Sequence, residues 1–243
     1  MTTIFHRLSF YCLLVLSMLF ASPAFCSVVL VGTRVIYPET DKEKSLQFNS
    51  QDDYPNLVQI WLDRGKPQSE PDTADAPFVV TPQIFRISPH AGQLARLVFT
   101  GADLPKDRES VFYLNFMQMP AIKSSQANTN LLMLAVTSRI KVFYRPEGLS
   151  GKAGELGKML KFKLIGSGAD AKIEVENGTG FHAVIREASL LLGEQKTLVV
   201  SSVMLAPKST ALWPIRAPVK SPYRLQITLV NDLGGDDVTV VGL

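Results

Sequence analysis

Few side chains in this 243-residue chain can carry chemistry other than charge, and their placement excludes most catalytic schemes. Of three histidines and two cysteines, His6, Cys12 and Cys26 all lie in the first 26 residues, which leaves His90 and His182 for the rest. A zinc site built from these would need carboxylates for most of its ligands, an uncommon donor set; no metal is expected. Gly166-Ser167-Gly168 resembles the start of a phosphate loop, yet it lies between two strand-like runs instead of opening a helix, and a hairpin turn explains it. Gly157-Lys158 is followed by Met159, and Lys152 stands where a phosphate loop needs Gly. No G-x-S-x-G nucleophile elbow occurs. Asn177-Gly178-Thr179 spells a glycosylation acceptor but reads more simply as a turn. The expectation is a protein that is not an enzyme and needs no cofactor.

What remains is charge, and it is nearly balanced. Lys plus Arg number 25 against 22 Asp plus Glu, a formal +3 that predicts no general affinity for nucleic acid. Residues 1–26 read as a signal peptide: His6 and Arg7, then the apolar run from Leu8 to Phe20, then Ala21, Ser22 and Ala24 before cleavage after 24 or 26. The run is shorter than the roughly 20 residues of a comfortable membrane span, so no membrane insertion is expected after cleavage. Removing residues 1–26, Arg7 among them, leaves a chain at +2 and without cysteine.

From Ser27 onward, apolar runs of strand length alternate with turn clusters, and Pro38, Pro55, Pro67, Pro71, Pro77, Pro89 and Pro105 punctuate them. No segment of ten or more residues carries a helical period. The pattern predicts an antiparallel sandwich. After Pro146 the composition turns Gly-rich, which places a domain boundary there. The expected division is 1–26 signal peptide, 27–147 first β domain and 148–243 second β domain. One stretch stands apart. Residues 130–146 read as a single extended strand whose two parities, Leu132, Leu134 and Val136 against Leu131, Met133 and Ala135, are both apolar before Arg139, Lys141 and Arg145. By residues alone this is either a sandwich strand covered on both sides or one that keeps an apolar face for a partner.

Leu104 to Pro120, LPKDRESVFYLNFMQMP, decides between them. This string resembles, position by position, the signature of the periplasmic pilus-assembly chaperones, the PapD-like family. The resemblance continues in Thr33-Arg34-Val35-Ile36-Tyr37, in Phe78-Val79-Val80-Thr81-Pro82 with Ile84-Phe85-Arg86-Ile87, in Gln93 and Arg96, and in Arg139 to Pro146. In the second half it rests on Met204-Leu205-Ala206-Pro207 and Asn231-Asp232-Leu233-Gly234-Gly235, while Asn177 to Phe181 carries glycines where the family often has prolines.

The resemblance implies two immunoglobulin-like β-sandwich domains in a boomerang. It implies a periplasmic chaperone that binds, folds and caps pilus (fimbrial) subunits by donor-strand complementation. The subunits then pass to an outer-membrane usher. Carried over, Asn130, Leu132, Leu134 and Val136 become the donor contacts, with Leu131 and Met133 packed in the chaperone's own core. Arg34 and Lys141 become the anchor for the subunit's terminal carboxylate. Glu109, Arg145 and Asp232 become an interdomain salt bridge. The resemblance further implies a cis bond before Pro82 and a self-capping dimer in the absence of client. About ten residues, Ala121 to Asn130, are expected before the donor segment, which suits the short-loop branch of the family. The alternative function is an exported two-domain adhesive or structural component of a surface fibre.

Overall fold

The computed structural model describes residues 27–122, 132–193, 195–215 and 224–243. The expected signal peptide, Asn130 and Leu131 lie outside them.

Among the described residues, nine strands build the first domain: β1 (Val28–Leu30), β2 (Arg34–Pro38), β3 (Lys44–Ser50), β4 (Asn56–Asp63), β5 (Phe78–Thr81), β6 (Ile84–Ile87), β7 (Gly92–Phe99), β8 (Ser110–Pro120) and β9 (Val136–Arg145). They form a four-stranded sheet in the order β1-β3-β7-β5 and a five-stranded sheet in the order β2-β9-β8-β4-β6. The chain therefore changes sheets between β1 and β2, at Gly32, whose φ of 102° suits a residue without a Cβ. Alternation places Phe48, Val58, Ile60, Leu97, Phe112 and Leu114 between the sheets, all essentially without solvent contact. An aromatic chain threads this core: Phe78 meets Tyr37 and Phe112 edge-on, each at 5.3 Å.

The second domain follows a short helix, α1 (Leu156–Met159). Its strands are β10 (Lys161–Ile165), β11 (Lys172–Asn177), β12 (Ala183–Leu192), β13 (Gln195–Leu205), β14 (Ser209–Pro214), β15 (Arg224–Val230) and β16 (Asp236–Gly242). They form sheets ordered β10-β11-β14 and β13-β12-β15-β16 around Ile173, Val175, Ile185, Leu225 and Ile227. Gly166 to Asp170 closes the β10–β11 hairpin, as the turn reading requires. Asn177 is buried, and its amide donates to the carbonyls of Phe181 and Ala206, so it serves as a structural pin between loops.

Three expectations need correction. The first sandwich is not wholly antiparallel: β2 runs parallel to β9, in register from Arg34 opposite Lys141 to Pro38 opposite Arg145. The stretch 130–146 is not one strand, because β9 begins at Val136 and residues 132–135 are irregular. β8 ends at Pro120 and β9 begins at Val136, which places 15 residues between them where about ten were expected, with 123–131 outside the described ones. The reason lies in the partner strand: Gln118 is the last β8 residue to pair with β9, and Met119 and Pro120 pair only with β4. The Thr81–Pro82 bond is cis.

Candidate functional site

The pairing of β9 changes along its length. From Val136 to Tyr144 it pairs with β8, but β2 joins its other side only at Lys141. Among the described residues, Val136 to Ile140 therefore leave one row of backbone donors and acceptors unpaired, an edge that can accept another strand. Just before it stand Leu132, 88% exposed, and Leu134, 67% exposed, followed by Val136 at 51%. These large apolar side chains make a concentrated exposed patch.

Their parity is informative. In β9 the even positions face the sandwich: Val142 and Tyr144 are buried and Ile140 packs on the core. Val136 keeps that parity within β9, while Leu132 and Leu134, of the same parity in sequence, stand in solvent ahead of the strand. Met133, expected in the chaperone's own core, is 48% exposed. The odd parity instead carries Arg139, Lys141, Phe143 and Arg145, which turn toward charged partners and the second domain.

Where the open edge ends, two cations stand side by side. Arg34 opens β2 and Lys141 is its register partner on β9. Arg34 donates through Nη1 to the carbonyl of Val230, 2.8 Å away in the second domain. Its buried Nε has no hydrogen-bond partner among the described residues. Burial lowers the pKa of Arg34, Asp232 opposes that shift, and the charge of Arg186 adds to it. Burial also lowers the pKa of Lys141, and the neighbouring Arg34 lowers it further. No carboxylate pairs with Lys141 among the described residues. Two partly desolvated like charges, one with an unused donor, make a site that an anion would relieve. Across from Lys141 lies a cavity of about 170 Å³ lined by Arg186, Ser202, Val203 and Val230 of the second domain.

Behind the cations the domains are tied together. Arg145 donates through Nε to Glu109 at 2.7 Å and through both terminal nitrogens to Asp232 at 2.7 and 2.9 Å. Glu109 is buried and also accepts from the backbone N–H of His182 at 2.8 Å. Asp107 pairs with Lys208 as a second ionic tie between the domains. The turn that carries Asp232 closes through Gly234, whose φ is +87°; a Cβ there would lie 2.4 Å from Thr33 Oγ1. Only glycine lets this turn settle against the residue preceding Arg34.

Sequence reasoning named Glu109, Arg145 and Asp232, and the structure brings them into one hydrogen-bonded chain. It also places Arg34 beside Lys141. It missed Asp63, His182 and Lys208. Asp63 had a signal: it is the one charge closing the otherwise uncharged run NLVQIWLD. His182 and Lys208 had none, since their partners come from the other domain.

Two β-sandwiches, a strand edge flanked by exposed apolar side chains and two neighbouring cations at its end are thus brought together, and comparison with known proteins places the chain in a family. Residues 27–150 match the PapD N-terminal domain of pili and flagellar-assembly chaperones, and residues 155–239 match the PapD C-terminal domain of pili assembly chaperones. The chain belongs to this family and is a chaperone of pilus subunit assembly. It is 34% identical over 223 residues to the probable fimbrial chaperone YadV of Escherichia coli K12, covering 90% of each chain. A crystal structure of YadV superposes with a TM-score of 0.75 at 32% identity, covering 90% of this chain and all of that one. The chaperone HifB of Haemophilus influenzae is 35% identical over 239 residues, covering 96% of this chain and 95% of its own. In fold the chain also matches the Salmonella enterica SafB chaperone, solved with the SafA pilin, with a TM-score of 0.71 at 24% identity over 91% of this chain and 99% of that one.

Proposed function

We propose that this chain works in the periplasm, after removal of residues 1–26, and captures pilus subunits by adding β9 and the residues before it to an incomplete subunit sheet. The mature protein would then consist of domains 27–147 and 148–243. Leu132, Leu134 and Val136, together with Asn130, enter the subunit's groove, and each buried apolar side chain contributes roughly 1.5–3 kcal/mol before the costs of association. The subunit's last strand takes the open edge of Val136 to Ile140.

A strand running parallel to β9 along that edge lies in line with β2 and must end where β2 begins. Its terminal carboxylate then meets Arg34 and Lys141. The observation that carries this reading is the coincidence of three features: the free edge, the exposed row before it, and the two cations at its stop. Charge-assisted bonds of about 1.5–3 kcal/mol each fix the register. Glu109, Arg145 and Asp232 hold the angle between the domains so that the cations stay in the cleft. Delivery to an outer-membrane usher completes the cycle, and a second copy of the chain caps the same apolar row when no client is present.

The test is capture of a peptide of alternating apolar residues ending in a free carboxylate, followed by co-purification of subunits from periplasm. Arg34→Ala and Lys141→Ala should each leave the fold intact and abolish capture. Amidation of the peptide's end should have the same effect. Undiminished binding by either variant refutes the anchoring role.

A further inference from the structure

The open stretch of β9 poses a physical problem. A segment hydrogen-bonded on one side only is the first part of a sheet to fray, yet an incoming strand needs its donors and acceptors held in register. Arg139 lies inside this stretch. Its Nη2 donates to Asp63 Oδ1 at 2.7 Å, and its Nη1 donates to Asp63 Oδ2 at 2.7 Å and to Asn115 Oδ1 at 2.9 Å. The guanidinium also stacks over the Tyr113 ring, 4.2 Å from its centroid.

Asp63 is wholly buried, with 0% exposure. It accepts further bonds from Asn115 Nδ2 at 2.6 Å and from the N–H of Gly65 at 2.7 Å. Burial opposes its charge, but the bonds from Arg139, Asn115 and Gly65 outweigh burial and hold its pKa below the ordinary value. Asp63 ends β4, Asn115 and Tyr113 belong to β8, and Arg139 belongs to β9. The cluster thus stitches three adjacent strands across the outer face of the sheet, at the level where β9 has lost its second neighbour. The bidentate fork fixes both the position and the rotation of the Arg139 side chain.

We propose that Arg139, locked by Asp63, is a positioning residue: it keeps the one-sided stretch of β9 in register so that a client strand can zip onto it. Arg139 does not touch the client in this role; it acts through the backbone of Val136 to Ile140. The role rests on the strand-addition reading above and adds a component that neither the donor row nor the cation pair supplies.

Hydrogen exchange on the full mature chain, measured residue by residue, tests it alongside binding of the carboxylate-ended peptide. In Arg139→Ala those amides of Val136 to Ile140 that are bonded to β8 should exchange about tenfold faster or more, with Lys141 to Arg145 unchanged, and peptide affinity should fall about tenfold. Arg139→Lys keeps the charge but not the fork, and should fall between wild type and alanine; it serves as the readout if the alanine variant does not fold. Unchanged exchange at 136–140 overturns the proposal. So does faster exchange spread evenly over the sheet, which marks an ordinary stability contact, or local fraying without loss of affinity. Failure of the wild-type chain to bind the peptide refutes strand addition itself, and this role with it.

Discussion

Replacing Arg145 by Met tests how the two domains are tied. The side chain makes three hydrogen bonds, but they are unequal. Glu109 is buried, with its side chain 2% exposed, whereas the Asp232 side chain is 41% exposed. Removing Arg145 leaves Glu109 as a buried carboxylate held only by His182, and orphaning one partner of a buried pair costs about 3–5 kcal/mol. Asp232 returns to water, and its share is about 0–1 kcal/mol despite the bidentate geometry. Arg145→Met should therefore lose about 3–5 kcal/mol, and Asp232→Asn about 1 kcal/mol or less. For a chain of this length that corresponds to roughly 6–20 °C against 0–4 °C in Tm, at about 2–4 °C per kcal/mol. Adding Glu109→Gln to Arg145→Met should recover part of the loss, because the stranded charge is gone. Scanning calorimetry measures the stabilities, and small-angle scattering reports whether the domains keep their arrangement. Equal losses in Arg145→Met and Asp232→Asn, or no recovery in the double variant, would refute the reasoning that Glu109 dominates.

Three further outcomes follow from the site. Leu134→Glu should weaken client capture at least tenfold while changing stability by no more than about 0.5 kcal/mol in thermal unfolding, as expected for a side chain so exposed; marked unfolding would restore the covered-strand reading. Lys141→Met should raise the Tm of the free protein at pH 7, because burial and Arg34 both disfavour the lysine's charge in the fold. Its folded pKa lies below the unfolded 10.5, so the unfolded wild type binds more protons in that window and wild-type stability rises with pH there. The gain from Lys141→Met should thus shrink as pH climbs toward 10.5, and a constant or growing gain contradicts the burial argument. Gly234→Ala should cost about 1–2 kcal/mol from its left-handed backbone alone, and more from the contact with Thr33; Thr33→Ala should recover only the contact's part, as chemical denaturation can measure.

Alternation and turn chemistry made strands such as β3, β7 and β15 legible, because each is half-buried and its period survives in the letters. The exposed row was legible only in part. Leu132, Leu134 and Val136 are all exposed, but Leu132 and Leu134 precede the strand, and Met133 between them is in solvent as well. A strand pattern reports which residues share a face and not where the sandwich beneath it stops. The parallel pairing of β2 with β9 was invisible for a related reason: ladder direction leaves no mark on side-chain period. Arg34, Lys141, Glu109, Arg145 and Asp232 were found through motif resemblance, since lone charges read as solvated surface. Asp63 showed a charge at the end of an apolar run, yet its partner Arg139 lies 76 residues away, and only the three-strand register brings them together.

The abutment of β2 against the open edge has a practical side. β2 occupies that side of β9 from Lys141 onward, and the Gly234 turn packs against Thr33 just before it, so a strand added along β9 meets β2 there. On the strand-addition reading, the cleft recognises the end of a polypeptide rather than a sequence within it. A client carrying an affinity tag after its last residue would be refused, while the same tag at its other end would leave capture intact. Any search for the clients of this chaperone should leave their C-termini untouched.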